Sequence, residues 1–92
     1  MIRSFRHKGL KRLYENEDRS RLRPDLVGRI VDILSALDRA RAIEAMGHPS
    51  LRLHPQKGDL KGFWAVTVRA NLRIIFRFEN GNAFDIDLVD YH

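Results

Sequence analysis

The sequence contains no cysteine, only three prolines and no long hydrophobic run. Without cysteine there can be no disulfide framework, no thiolate nucleophile and no cysteine-containing zinc site. No apolar stretch approaches the roughly 18 residues that a membrane-spanning helix requires, and the opening residues lack the apolar segment of a signal peptide. These absences favour a protein that works in the cytoplasm and has no membrane partner.

The composition is that of one small, basic, folded domain. The 92 residues include 17 Lys plus Arg against 12 Asp plus Glu, a formal net charge of +5, and 43% are hydrophobic. A chain of this length supports one hydrophobic core, so we expect a single domain over residues 1–92. The positive charge weakly favours a polyanion or an acidic protein as partner.

The N-terminal half has the periodicity of helices. A first helix of about two turns is predicted near residues 9–14, and residues 16–23 form a polar loop. Pro24 opens the clearest helix, whose apolar face consists of Leu26, Ile30, Ile33, Leu34 and Leu37. Asp38 is predicted to cap another short helix over residues 39–46.

From Ser50 onward, apolar residues alternate with polar ones, which is the pattern of strands. A short strand ends at residues 54–55, and three longer strands are predicted near residues 63–69, 72–78 and 84–89. Each run has one apolar face and one face for solvent, as in an antiparallel sheet that is covered on one side. We therefore predict an α+β fold in which the N-terminal helices pack on one face of a small antiparallel β-sheet.

The register of the last two strands follows from keeping apolar residues on one face. Pairing Phe76 with Ile86 requires a three-residue turn at residues 80–82. A two-residue turn at residues 80–81 would instead set Phe76 opposite Asp85 and turn the strand over. The longer turn is therefore predicted.

The same argument places three arginines on the solvent face of the sheet. Arg77 faces Asp85, which predicts a cross-strand ion pair. A three-residue turn in the preceding hairpin pairs Thr67 with Arg73, and Arg69 then lies diagonally beside Arg73. No acidic residue lies opposite Arg73 in this register, so an external anion is the expected partner of this patch.

Side chains that can transfer protons are expected near this patch. The loop of residues 54–62 contains His54 and Lys57, and the sequence ends with Asp-Tyr-His at residues 90–92. Arginine and lysine bind phosphate, and histidine exchanges protons near neutral pH. This combination suits cleavage of RNA, whose own 2′-hydroxyl is the nucleophile. The histidines show no i, i+4 pair, so neither a metal nor a cofactor is predicted.

Four segments together carry a resemblance to a known family: residues 2–10, 53–59 (LHPQKGD), 68–74 (VRANLRI) and 90–92 (DYH). The sequence resembles the RelE superfamily of bacterial toxins over its full length, and most closely the HigB-type branch. The resemblance implies a compact, microbial-ribonuclease-like α+β fold.

The resemblance further implies the toxin of a type II toxin–antitoxin system. Such a toxin would be a ribosome-dependent endoribonuclease that cleaves mRNA in the A site and inhibits translation and growth. The catalytic residues that it implies are His54, Asp90, Tyr91 and His92. The implied RNA phosphate-binding residues are Lys57, Arg69 and Arg73. The roles of acid and base stay open among the two histidines and Asp90.

The implied partners are a HigA-like helix-turn-helix antitoxin, the 70S ribosome and mRNA, and operator DNA only through the antitoxin. Eight basic residues against three acidic ones in residues 1–23 would contact ribosomal RNA. Two alternatives stay open. The chain could be a non-catalytic RNA- or ribosome-binding module that uses the same basic patch, or the open sheet face could serve only to dock a protein.

Overall fold

The computed structural model describes residues 1–91, and His92, one of the implied catalytic residues, lies outside them. Two α-helices precede one antiparallel sheet with the strand order β1-β2-β3-β4. The helices are α1 (Lys8–Asn16) and α2 (Pro24–Arg39). The strands are β1 (His54–Pro55), β2 (Trp64–Arg69), β3 (Leu72–Glu79) and β4 (Asn82–Asp90). This order of elements agrees with the predicted α+β fold.

Both predicted helices form, and their first residues explain where they begin. At α1, Nδ1 of His7 accepts a hydrogen bond of 3.1 Å from a backbone N–H of the first turn. At α2, Pro24 takes the first position and Asp25 lies in the first turn. The predicted cap at Asp38 is wrong, because Asp38 lies inside α2. A short 3-10 helix, Ile43–Met46, replaces the predicted helix over residues 39–46.

The main hydrophobic core lies between the helices and one face of the sheet. The predicted apolar face of α2 is buried in it: Leu26, Ile30, Ile33, Leu34 and Leu37. The large buried side chains of the sheet in this core include Val66, Ile74, Phe76 and Ile86. The core thus holds the helices on one side of the sheet and leaves the opposite face for other contacts. No helix within residues 1–91 is both long enough and apolar enough to cross a membrane.

The turn between β3 and β4 has two residues, and the predicted three-residue turn is wrong. Asn80 and Gly81 both have positive φ, 50° and 77°, and Glu79 pairs with Asn82 across the turn. Asn-Gly is the sequence that two-residue hairpin turns with this backbone favour. If β3 and β4 paired regularly beyond this turn, the apolar side chains of one strand would point to the solvent face of the sheet.

A β-bulge on β4 corrects the faces. The register shifts between Ile75 and Arg77, and Asp85 on the opposite strand has a φ of 54°. One extra residue on β4 restores the predicted pairing beyond the bulge, where Arg73 lies opposite Val89. The predicted ion pair also forms, with 3.1 Å between Nη1 of Arg77 and Oδ2 of Asp85.

A second bulge lies in the hairpin of β2 and β3. Thr67 pairs with Arg73 as predicted, but the register shifts between Thr67 and Arg69, and Arg69 pairs with Leu72. The turn therefore contains residues 70–71 alone. Leu72 packs against the main core, so Arg69 lies on the helix side of the sheet. The prediction that Arg69 and Arg73 share one face is wrong for this reason.

The sheet face opposite the helices is partly covered, although it was predicted to be open. Its centre holds a small apolar cluster of Phe63, Ala65 and Ile75, against which Leu60 and Val89 pack. Leu60 belongs to a 3-10 turn, Gly58–Leu60, in the β1–β2 loop. We call this the distal face; the strand residues on it that matter below are His54, Ala65, Thr67, Arg73 and Ile75.

The N-terminal segment is fastened to both β4 and α2. Ile2 forms a parallel bridge with Ala83 at the start of β4. Oδ1 of Asp38 accepts hydrogen bonds from the backbone N–H of Ile2 and from the hydroxyl of Tyr14, each 2.9 Å long. The bond from Ile2 is the largest cause that lowers the pKa of the Asp38 carboxyl. Asp38 therefore ties together three separate parts of the chain.

We expect Asp38→Ala to lower the free energy of unfolding at pH 7 by about 1–3 kcal/mol, because a buried N–H and a hydroxyl lose a charged acceptor. The folded pKa lies below the unfolded one, about 3.9 for Asp. The stabilisation is therefore complete above the unfolded pKa and disappears as the pH falls through the folded pKa. Urea unfolding should show that the difference in unfolding free energy between Asp38→Ala and the wild type becomes smaller from neutral to acid pH. Asp32→Ala, an exposed change on the same helix, is the control. If Asp38→Ala lost no more unfolding free energy at neutral pH than Asp32→Ala, Asp38 would not anchor the N-terminal segment.

Candidate active site

Arg73 projects from β3 on the distal face and has an unusual environment. Its Cζ lies 5.0 Å from the centroid of the Tyr91 ring, a distance at which a cation is attracted to an aromatic face. Its Nε is buried and has no hydrogen-bond partner within residues 1–91. The ion pairs of this part of the chain do not include Arg73. A guanidinium in this state is suited to bind an external anion.

Arg77, four residues after Arg73 on β3, has a different environment. Its guanidinium contacts Oδ2 of Asp85 at 3.1 Å and Oε1 of Glu79 at 3.4 Å. Two carboxylates therefore compensate the charge of Arg77. The sequence-based distinction between a paired Arg77 and an Arg73 without an opposite acid agrees with the geometry of the described residues.

Tyr91 lies just beyond the end of β4 and is held at two points. Its backbone N–H donates to the carbonyl oxygen of Asn71 (2.9 Å), and its hydroxyl donates to Oε1 of Gln56 (3.0 Å). Gln56 follows β1, which is the opposite edge strand of the sheet. The side chain of Tyr91 therefore connects the two edges of the sheet and passes the guanidinium of Arg73.

His54 is on the same face as Arg73. It pairs with Ala65 of β2, which belongs to the apolar cluster of the distal face. Nδ1 of His54 lies 2.8 Å from the carbonyl oxygen of Arg52. A carbonyl oxygen can only accept, so Nδ1 carries the hydrogen and the neutral ring has its lone pair on Nε2. On a flat sheet the Cα atoms of His54 and Arg73 would be about 12 Å apart, close enough for both side chains to reach one nucleotide.

Two further positive side chains lie near this group. Lys57 is exposed and adjoins Gln56 at the start of the Gly58–Leu60 turn. Cζ of Arg6 lies 4.8 Å from the centroid of the Phe63 ring, in the cluster of the distal face. Arg6 was expected only as one of many basic residues near the N-terminus. Its contact depends on a fold that brings the N-terminal segment beside residue 63, which local sequence patterns do not reveal.

Arg69 lies elsewhere, in a pocket of about 350 Å³ near the start of α2. The charged side chains that line this pocket include Arg23, Arg69 and Asp90. Oδ2 of Asp25 contacts Arg23 at 2.9 Å and Nη1 of Arg69 at 3.0 Å. Arg69 therefore has an acidic partner, contrary to the expectation that the patch of Arg69 and Arg73 pairs only with an external anion. The bulge turned Arg69 toward the helix, where Asp25 is available.

Asp90 shares that pocket, on the helix side of the sheet. It pairs with Leu72, whose side chain packs against the main core, whereas Arg73 points to the opposite face. The structure thus brings His54, Arg73 and Tyr91 to one face, together with the loop that contains Lys57. It places Arg69 and Asp90 on the other. Their implied roles in phosphate binding and catalysis stay predictions, as does that of His92.

Gln56 was not singled out from the sequence as a functional residue. It stands between His54 and Lys57 in the segment LHPQKGD, which was the available signal. Its contact with Tyr91 spans 35 residues and cannot be derived from alternation or spacing.

Within residues 1–91, no three histidine, aspartate or glutamate side chains are grouped so that they could hold a metal ion.

Residues 3–92 match the family described as the RelE-like toxin of the type II toxin–antitoxin system HigB. The chain belongs to the HigB-like toxin family. It is 48% identical over 92 residues to Endoribonuclease HigB of Proteus vulgaris, with the whole of both chains covered. It is also 31% identical over 87 residues to Toxin HigB-1 of Vibrio cholerae, with 92% of each chain covered.

Solved structures of other toxins have the fold of this HigB-like chain. The YoeB–YefM toxin–antitoxin complex of Staphylococcus aureus gives a TM-score of 0.63 at 17% identity, covering 100% of this chain and 95% of that one. The YoeB/ParE toxin of Agrobacterium tumefaciens gives 0.58 at 18% identity, covering 100% and 99%. At these identities the likeness concerns the fold, and it agrees with the RelE-like architecture expected from the sequence.

Proposed function

We propose that residues 1–92 form a single toxin domain that cleaves mRNA in the ribosomal A site and thereby inhibits translation and growth. The observation that carries this proposal is the guanidinium of Arg73, which has a buried Nε without a partner in residues 1–91. It lies on the same face as His54, whose neutral ring carries its lone pair on Nε2. The name of the Proteus vulgaris relative, an endoribonuclease, supports the same activity.

The proposed reaction uses the RNA 2′-hydroxyl as the nucleophile. His54 removes its proton through Nε2, the 2′-oxygen bonds to the adjacent phosphorus, and the bond from phosphorus to the 5′-oxygen breaks. We assign to His92 the proton that the leaving 5′-oxygen takes up, because Asp90 lies on the helix side of the sheet and the Tyr91 hydroxyl donates to Gln56. The products are a 2′,3′-cyclic phosphate and a free 5′-hydroxyl. Arg73 stabilises the extra negative charge on the phosphorane, and Lys57 binds the phosphate as a mobile point charge. Proton transfer and charge stabilisation complete this reaction, so we propose it as metal-independent.

The small size and the positive charge of the domain support the proposed dependence on the ribosome. The eight basic side chains in residues 1–23 are all exposed: Arg3, Arg6, Lys8, Lys11, Arg12, Arg19, Arg21 and Arg23. Such a surface attracts ribosomal RNA over long distances. A chain of 92 residues has a single small core, and a second body that completes the RNA site fits this size. We propose that the ribosome holds the mRNA against the distal face.

The proposed partner is a cognate antitoxin with a helix-turn-helix domain, through which the complex would bind operator DNA. Membership of a toxin–antitoxin family supports this, and the Staphylococcus aureus neighbour was solved with its antitoxin. Because ribosomes and mRNA are the targets, the proposed site of action is the cytoplasm. A short reading frame for such an antitoxin directly beside the gene would identify the partner, and its absence would count against this assignment.

Incubation of the protein with mRNA, alone or on ribosomes with a filled P site, tests the proposed function. We expect new mRNA 5′ ends inside the A-site codon when ribosomes are present, and almost none with free mRNA. Primer extension maps these ends. Equally strong cleavage of free RNA would contradict ribosome dependence. Salt-sensitive binding to ribosomes with unchanged mRNA ends would favour the non-catalytic RNA-binding alternative.

A further inference from the structure

Gln56 is placed so that it determines where the Tyr91 ring lies. Its backbone N–H donates to the carbonyl oxygen of Phe63 (2.9 Å), which fixes the start of the β1–β2 loop. Its side-chain oxygen then accepts the Tyr91 hydroxyl at 3.0 Å. Both side chains are partly buried, so the bond is shielded from competing water.

The bond between Gln56 and Tyr91 closes a long gap. Gln56 follows β1 and Tyr91 follows β4, which are the two edge strands. On a flat sheet these edges are three strand spacings apart, a total of about 14 Å. The side chains of Tyr91 and Gln56, joined by their hydrogen bond, span this distance. Residues beyond a strand end move freely unless they are tied down. The other hydrogen bond that holds Tyr91, to the carbonyl oxygen of Asn71, fixes the backbone but leaves the ring free to rotate.

The position of the ring matters because of Arg73. The guanidinium lies 5.0 Å from the ring centroid, and its buried Nε has no partner within the described residues. No hydrogen bond from this part of the chain therefore orients the Nε side of the guanidinium, and the Tyr91 ring limits its movement instead. Whatever holds the ring also directs the remaining N–H donors of Arg73.

We propose that Gln56 is a positioning residue, which holds Tyr91 across the distal face so that the Arg73 guanidinium is pre-oriented for the scissile phosphate. This inference rests on the proposed endoribonuclease function. An amide suits the role because it accepts the hydroxyl without adding charge. A carboxylate at this place would accept the same bond but would attract Arg73 and repel the RNA phosphate.

Gln56→Leu and Gln56→Glu, with Asp59→Asn as control, test the proposal. Asp59 is exposed in the same loop. We expect Gln56→Leu to lower kcat for ribosome-bound mRNA by about 10- to 100-fold, the effect of misplacing a reacting group by about 1 Å, with KM nearly unchanged. Gln56→Glu should raise KM, because the added charge opposes RNA binding. Asp59→Asn should match the wild type.

Nuclear magnetic resonance provides a second readout that does not depend on cleavage. The buried Nε–H of Arg73 should exchange slowly with water in the wild type and in Gln56→Glu, and fast in Gln56→Leu. Unchanged exchange and unchanged kcat in Gln56→Leu would each overturn the positioning role. If the wild type leaves ribosome-bound mRNA intact, the proposed function fails. The exchange measurement still decides whether Gln56 holds Tyr91 over Arg73.

Discussion

Replacing Arg73 by alanine is expected to lower mRNA cleavage on the ribosome by about 100- to 1,000-fold, the loss typical of removing one donor to a developing anion. The guanidinium lies on the distal face, where no carboxylate of residues 1–91 forms an ion pair with it, and its terminal N–H groups can donate to a phosphate oxygen. The change breaks no ion pair within residues 1–91, so the free energy of unfolding should change by less than about 1 kcal/mol. Primer extension and urea unfolding measure the two effects.

Arg77→Ala is the matched control, because it removes the same group from the same strand. Two carboxylates already compensate Arg77, so its loss should leave cleavage close to the wild-type rate. Its stability should fall by no more than about 1 kcal/mol, as for other exposed ion pairs. If Arg73→Ala cleaved mRNA as fast as Arg77→Ala, Arg73 would have no part in the reaction.

His54→Ala is expected to lower kcat by about 10²- to 10⁴-fold, the usual contribution of a general acid or base. The hydrogen bond from Nδ1 to the carbonyl oxygen of Arg52 fixes the tautomer in which Nε2 can accept a proton. Single-turnover rates measure this loss, and urea unfolding of the variant distinguishes a lost base from a disturbed fold.

His48→Ala serves as the control for this experiment. His48 is exposed, and its Nδ1 accepts the backbone N–H of Ser50 (3.1 Å) at the start of a short 3-10 helix, Pro49–Leu51. Its loss removes a local cap and should lower the free energy of unfolding by about 1 kcal/mol or less, without changing kcat. A His54→Ala variant with the wild-type single-turnover rate would place the general base elsewhere, and His92 would be the next residue to test.

Much of the fold could be predicted because apolar periodicity depends on local sequence alone. The α2 stripe and the pairings of Arg73 with Thr67 and Val89 agree with the structure for this reason. Both turn lengths were wrong, since alternation assumes a regular ladder and does not reveal one extra residue in a strand. Asn80-Gly81 was itself a strong signal for a two-residue turn. A two-residue turn in a regular ladder would put the apolar residues of the two strands on different faces, and the bulge at Asp85 removes this conflict.

The site was predictable to the extent that strand pairing determines it. Arg73 stood out because its cross-strand neighbours are uncharged. Arg69 was misplaced because its partner, Asp25, comes from a helix 44 residues away and the bulge reverses its side. Gln56 was missed because its contact with Tyr91 joins opposite edges of the sheet. Contacts of this length depend on which side chains cross the face of the sheet, and periodicity does not specify that.

The two bulges have a consequence for how such chains can change in evolution. Each hairpin combines a two-residue turn with one extra strand residue, and a three-residue turn without a bulge would leave the pairing at Arg73 identical. An insertion at the turn and a deletion at the bulge therefore compensate each other, although either alone would rotate part of a strand. Homologous chains can exchange loop length for strand length here while Arg73 keeps its neighbours.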